Sequence, residues 1–105
     1  MKKTLLLLPA AALLVTGFAY ADTGEELIAK NKCTACHKVD KKTIGPSYQD
    51  IAAKYAGNAA APAQMADRIK KGSRGVWGPA PMTPHANLSD EDLKAMVEYV
   101  MAQKK

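Results

Sequence analysis

Phenylalanine occurs once in this 105-residue chain, as Phe18, and cysteine only twice, as Cys33 and Cys36. No stretch alternates apolar and polar residues long enough to propose a sheet, and no internal repeat is visible, so neither a β-domain nor a repeat array is expected. Two cysteines three positions apart would close a trivially short loop, which excludes a scaffold held by disulfides. The positive charge is modest: +5 in formal terms, falling to +3 once Lys2 and Lys3 are set aside. With no recognition element beside it, that charge does not suggest nucleic-acid binding. Nor is any nucleophile arranged with an acid and a base, so an enzyme is not expected.

The first residues indicate a compartment. Lys2 and Lys3 precede an apolar run from Leu5 to Val15, interrupted only by Pro9, and Ala19-Tyr20-Ala21 offers small residues where a signal peptidase reads them. This layout predicts a signal peptide over 1–21, cleaved between Ala21 and Asp22, and export to the periplasm. The run is short for a membrane span. Residues 22–105 are then one small domain with Tyr48, Tyr55, Trp77 and Tyr99 as its large aromatics. Side chains alone give such a domain a thin core. A large apolar cofactor would fill it.

Helical signals run along most of this domain. Thr23 and Glu26 form a capping-box pattern, and Leu27 and Ile28 open a short helix expected to reach Cys33. Tyr48, Ile51, Ala52 and Tyr55 share one face of a second helix closed by Gly57-Asn58. Pro62 suits the first turn of a third, with Met65, Ala66 and Ile69 inward and Gly72 at its end. Ser89 caps a fourth, with Asp90, Glu91 and Asp92 in the first turn, and Leu93, Met96, Val97, Val100 and Met101 as its buried stripe. Between them, GSRGVWGPAPMTPHAN (72–87) holds three glycines and three prolines and cannot be a helix or a regular strand. The expected fold class is all-α with one long, stiffened loop.

The segment NKCTACHK (31–38) carries the chemistry. A thioredoxin-like dithiol belongs beside a strand of a βαβ unit, and none is in view. A zinc site would need Cys33, Cys36, His37 and His85 together, with adjacent Cys36 and His37 serving one ion, which is awkward. Cys-x-x-Cys-His fits a third use: the two sulfurs form thioethers with the vinyl groups of one haem c, and the histidine coordinates the iron. Covalent attachment prevents loss of the cofactor outside the cell, and the buried porphyrin supplies apolar area that the side chains lack.

On the other face of the iron, the candidate donors are Met65, Met82, Met96, Met101 and His85. Met65, Met96 and Met101 lie at core spacing on helices. Met82 lies in a loop between Pro81 and Pro84, where no packing pattern asks for it and where prolines could hold its sulfur in place. His85 is a competing donor or a partly exposed neighbour. A filled sixth position suggests electron transfer; a vacant or displaceable one would suggest a haem enzyme or gas binder. A fixed haem subunit of a larger complex is a further alternative. The free nitrogen of His37 needs an acceptor, which a carbonyl in the Gly45-Pro46 turn could provide. Trp77 and Arg68 are candidates to bind haem propionates, through the indole N–H and the guanidinium.

Three stretches together resemble the class I monohaem cytochromes c, most of all the short bacterial c-551 type: KNKCTACHKVDKKTIGPSYQDIAAKYAG, IKKGSRGVWGPAPMTPH and LSDEDLKAMVEYVMAQ. The resemblance covers essentially the whole of 22–105. It implies that fold, a haem held by Cys33 and Cys36, and His37 and Met82 as axial ligands. It also implies that the Pro46 carbonyl accepts from His37, and that Arg68 and Trp77 approach a propionate. Single-electron shuttling between respiratory redox partners follows by the same resemblance. Relatives often carry Asn three residues after the methionine; here that residue is His85. Lysines 30, 32, 38, 41 and 42 near the motif, with Lys70, Lys71 and Arg74, would steer a monomer toward transient, acidic docking faces if they ring the haem edge.

Overall fold

The computed structural model describes residues 22–105, so the signal peptide expected over 1–21 lies outside the described residues. Four α-helices follow in order: α1 (Gly24–Lys30), α2 (Tyr48–Tyr55), α3 (Ala61–Lys71) and α4 (Asp90–Met101). A single 3₁₀ turn, Cys33–Ala35, lies between α1 and α2. The described residues contain no sheet, only two isolated antiparallel bridges, His37 with Lys42 and Ser73 with Met82.

Three of the four helices begin on a side-chain cap. At α1 the Thr23 hydroxyl accepts the Glu26 N–H at 3.2 Å. The Glu26 carboxylate in turn accepts from that hydroxyl at 3.1 Å, a variation on the reciprocal capping box. Ser47 accepts the Asp50 N–H at 3.0 Å to start α2, and Ser89 accepts the Asp92 N–H at 3.1 Å to start α4. Pro62 occupies the first turn of α3, where its missing N–H costs nothing.

One boundary differs from expectation. Helix α1 ends at Lys30 rather than running to Cys33. Asn31 donates its side-chain amide to the Leu27 carbonyl at 2.8 Å, and Lys32 then turns left-handed at φ 61°. An L-residue gives up roughly 1–2 kcal/mol in that conformation. The turn redirects the chain so that the cysteine pair starts a new, tighter coil instead of continuing the helix.

Helix α4 is the hub, packing against α1, α2 and α3. Leu93, Met96 and Val97 are each 2% exposed, and Leu27 and Ile28 of α1, Tyr48 and Tyr55 of α2 and Met65 of α3 join them in one cluster. Full burial of such side chains contributes about 1.5–3 kcal/mol each. Where α1 meets α4, Gly24 lies so close that a Cβ would strike the Ala95 carbonyl and come within 2.8 Å of Tyr99 Cβ. Lys105 reaches across from the C-terminus to Asp50 on α2, at 3.3 Å.

Candidate functional site

The segment from Lys32 to Pro46 is wound around its own carbonyls. Cys36 and His37 both donate backbone N–H to the Cys33 carbonyl, at 3.1 and 2.9 Å. The Cys36 carbonyl accepts from the Gly45 N–H and from the Thr43 hydroxyl, each at 2.7 Å. These bonds place Cys33, Cys36 and His37 on one wall of a cleft. Both cysteines are half-buried.

His37 is held on three sides. Its Nδ1 lies 2.7 Å from the Pro46 carbonyl oxygen. A carbonyl can only accept, so Nδ1 donates, and in the neutral tautomer this bond selects the lone pair is on Nε2. Tyr48 stacks on the ring at a centroid distance of 5.7 Å and an interplanar angle of 26°. On the glycine side, a Cβ on Gly45 would stand 2.5 Å from Cε1, so only a bare α-carbon lets the ring lie there. Tyr48 is itself braced edge-on by Tyr99 at 6.1 Å.

Met82 reaches the same cleft from the long loop. Its backbone pairs with Ser73: the Met82 N–H donates at 2.8 Å and the Ser73 N–H returns a bond at 3.2 Å. His85 also lines the cleft, half-buried, and its backbone N–H donates to the Ile69 carbonyl of α3 at 2.9 Å. Arg68 lines the cleft too, donating Nη1 to the Tyr55 hydroxyl at 2.7 Å. Trp77 closes part of the rim, with Lys54 Nζ 4.4 Å above its ring.

All the residues singled out from the sequence, Cys33, Cys36, His37, Pro46, Arg68, Trp77 and Met82, therefore line one cleft. The cleft has a cavity volume of about 200 Å³ and opens to solvent. Its floor is apolar, with Ile28, Ile51, Ile69 and Val100. Met65 and Met96 touch the floor as buried members of the core, whereas Met101 does not line the cleft. Two thiols, an imidazole lone pair and a thioether over apolar walls, with a guanidinium and an indole as polar groups, fit a haem. No group of three or more His, Cys, Asp and Glu side chains converges to hold a metal ion among the described residues, which speaks against the zinc alternative.

Tyr55, Lys54 and Gly45 are among the residues whose contacts at the site have no signature in the sequence. Tyr55 sits one face-repeat beyond Tyr48 on α2, a spacing that marks shared burial but not the bond to Arg68. Lys54 and Gly45 carry no sequence signal for their roles against Trp77 and His37.

Comparison with known proteins gives a concordant picture. A family model described as cytochrome c matches residues 21–104. Cytochrome c-551 of Pseudomonas aeruginosa is 48% identical over 98 residues, 93% of this chain and 92% of that one. Cytochrome c-552 of Nitrosomonas europaea is 50% identical over 95 residues, 90% of each chain. The crystal structure of the wild-type Nitrosomonas europaea cytochrome c552 superposes with a TM-score of 0.73 and 48% identity, covering 76% of this chain and 99% of that one.

Proposed function

The chain belongs to the class I cytochrome c family and is a periplasmic monohaem electron-transfer protein; from that premise we propose which residues perform the transfer. Haem c, when bound, supplies a one-electron Fe(III)/Fe(II) couple. Cys33 and Cys36 would hold it covalently through Sγ, with His37 Nε2 and Met82 Sδ as the axial donors. The observation that carries this reading is the shared cleft: the Cys-x-x-Cys-His wall and the Met82 loop face one apolar space.

Each remaining residue then has a physical task. The Pro46 carbonyl fixes the tautomer of His37 and raises its basicity. Gly45 and Tyr48 keep the ring from rotating. A thioether opposite an imidazole favours ferrous iron more than a second imidazole would, so a comparatively high potential is expected. Arg68, oriented by Tyr55, and Trp77, covered by Lys54, would bind propionates. Because both donor segments are fixed by backbone bonds, little rearrangement accompanies a change of charge.

The chain would work as a monomer that meets acidic redox proteins briefly. Lys32 and Arg74 line the cleft beside exposed Ile44 and Trp77, and neither cation takes part in an ion pair among the described residues. Residues 1–21 are assigned as a signal peptide removed before Asp22; the intact mass of the exported protein tests that. The ligand set is tested by absorption spectra of purified protein, oxidised and reduced. Met82→Ala should abolish the sulfur-to-iron charge-transfer band and lower the potential, while Met65→Ala should keep the band. The reverse pattern would refute the assignment.

A further inference from the structure

The end of α3 meets the Met82 loop through backbone atoms at several points. The Ile69 carbonyl receives the His85 N–H at 2.9 Å, and Ser73 exchanges two bonds with Met82, at 2.8 and 3.2 Å. Between them stands Gly72, at φ 81° and ψ 169°. A Cβ there would lie 2.8 Å from the Met82 carbonyl oxygen and 3.2 Å from Cδ of Pro84.

The other positive-φ glycines offer a contrast. Gly57, Gly75 and Gly78, at φ 76°, 78° and 124°, have no atom within 4 Å of where a Cβ would stand. Their bareness serves the turn alone. Among the described residues, Gly72 is the positive-φ glycine that also admits another backbone segment, and that segment belongs to Met82.

We propose that Gly72 is a positioning residue for the Met82 sulfur, setting the depth at which the Met82 backbone seats against the end of α3. This rests on Met82 being the axial donor. Pro81 and Pro84 stiffen the segment, so a displacement of its backbone cannot be absorbed next to Met82 and passes to the side chain. A thioether is a weak donor, and its hold depends on being delivered in place. A methyl group at residue 72 would push the Met82 carbonyl away and draw the sulfur from the iron.

The test compares Gly72→Ala with Gly57→Ala in the haem-loaded protein, since both place a Cβ at positive φ but only the first meets Met82. Ferric protein is titrated with imidazole, which competes for the sulfur's position, while the sulfur-to-iron band is followed. Gly72→Ala should bind imidazole about tenfold more tightly than wild type, about 1.4 kcal/mol of lost sulfur ligation, with a weakened band. Gly57→Ala should bind within about twofold of wild type and keep the band. Equal imidazole affinity in Gly72→Ala and wild type would overturn the proposal. Met82→Ala separates the two readings: if it keeps the band, the ligand assignment fails and the positioning role with it. If it loses the band while Gly72→Ala behaves as wild type, positioning alone fails. Should Gly72→Ala not fold, hydrogen exchange in the wild type decides. The Met82 amide should lose protection as imidazole displaces the sulfur; persistent protection would mean that backbone seat and ligation are independent, and would refute the proposal.

Discussion

Tyr48 shows how much one side chain can be asked to do. It is 4% exposed, stacks on His37, and its hydroxyl finds no hydrogen-bond partner among the described residues. Burial, the largest cause, pushes its pKa well above the ordinary phenol value. An acid whose pKa is raised on folding contributes its stability in full below the unfolded value of about 10, and loses it as pH rises beyond. Tyr48→Phe keeps the stacking and removes the orphaned hydroxyl. It should raise stability at pH 7 by about 1 kcal/mol, and its advantage over wild type should widen above about pH 10. Guanidinium unfolding of the two haem proteins at pH 7 and pH 10.5 or so measures both effects. A variant less stable at pH 7 would show that the hydroxyl is satisfied in the folded protein. Tyr48 was legible as a core aromatic from helical spacing; its place against His37 was not, because that depends on how the turn ending at Pro46 folds back.

At the scale of elements, the crossing of α1 over α4 is set by Gly24. Alanine is the better helix former by about 0.8–1.0 kcal/mol, so propensity alone predicts that Gly24→Ala stabilises. The Ala95 carbonyl and Tyr99 Cβ occupy the space that the methyl needs. The expected result is therefore a net loss of about 1–3 kcal/mol, read as a lower denaturation midpoint at unchanged m-value. A gain would mean that α1 can slide along α4 without cost. The starts of α1 and α4 were readable because a cap acts over three residues: Thr23 and Ser89 bond the third residue along the chain. The end of α1 was not readable, because the left-handed turn falls on Lys32 rather than on glycine. The Ser73–Met82 bridge escaped too, since two bonds across a loop rich in proline leave no periodic pattern.

Lys32 and Arg74 line the cleft. Lys30, Lys70, Lys71, Lys94 and Lys105 are taken up in surface ion pairs, whereas Lys32, Lys41, Lys42 and Arg74 are in none among the described residues. In the proposed encounter, unpaired cations such as these would steer an acidic partner. Raising ionic strength from 0.01 to 0.15 M shortens the screening length from about 30 to about 8 Å. The second-order rate with an acidic redox protein should fall by about tenfold over that range, while the rate with a small neutral oxidant stays level. Stopped-flow kinetics with Lys41→Glu/Lys42→Glu should show a several-fold slower low-salt rate at an unchanged potential. A rate insensitive to salt would remove the electrostatic basis for docking.

The one-dimensional pattern was enough for the all-α class, the positions of the helices and the Cys-x-x-Cys-His motif that belongs to haem c. Caps, stripes and a five-residue motif act between near neighbours, and near neighbours are what a sequence displays. Only the tertiary structure decided which groups stand against the site: Gly45 and Tyr48 on His37, Tyr55 on Arg68, Lys54 on Trp77, and Gly72 under Met82. Those pairs lie between 8 and 23 positions apart and meet because separate helices pack on α4 and carry their connecting loops with them. Packing of that kind leaves no periodicity, because a close approach requires only that one residue be small or one hydroxyl be near.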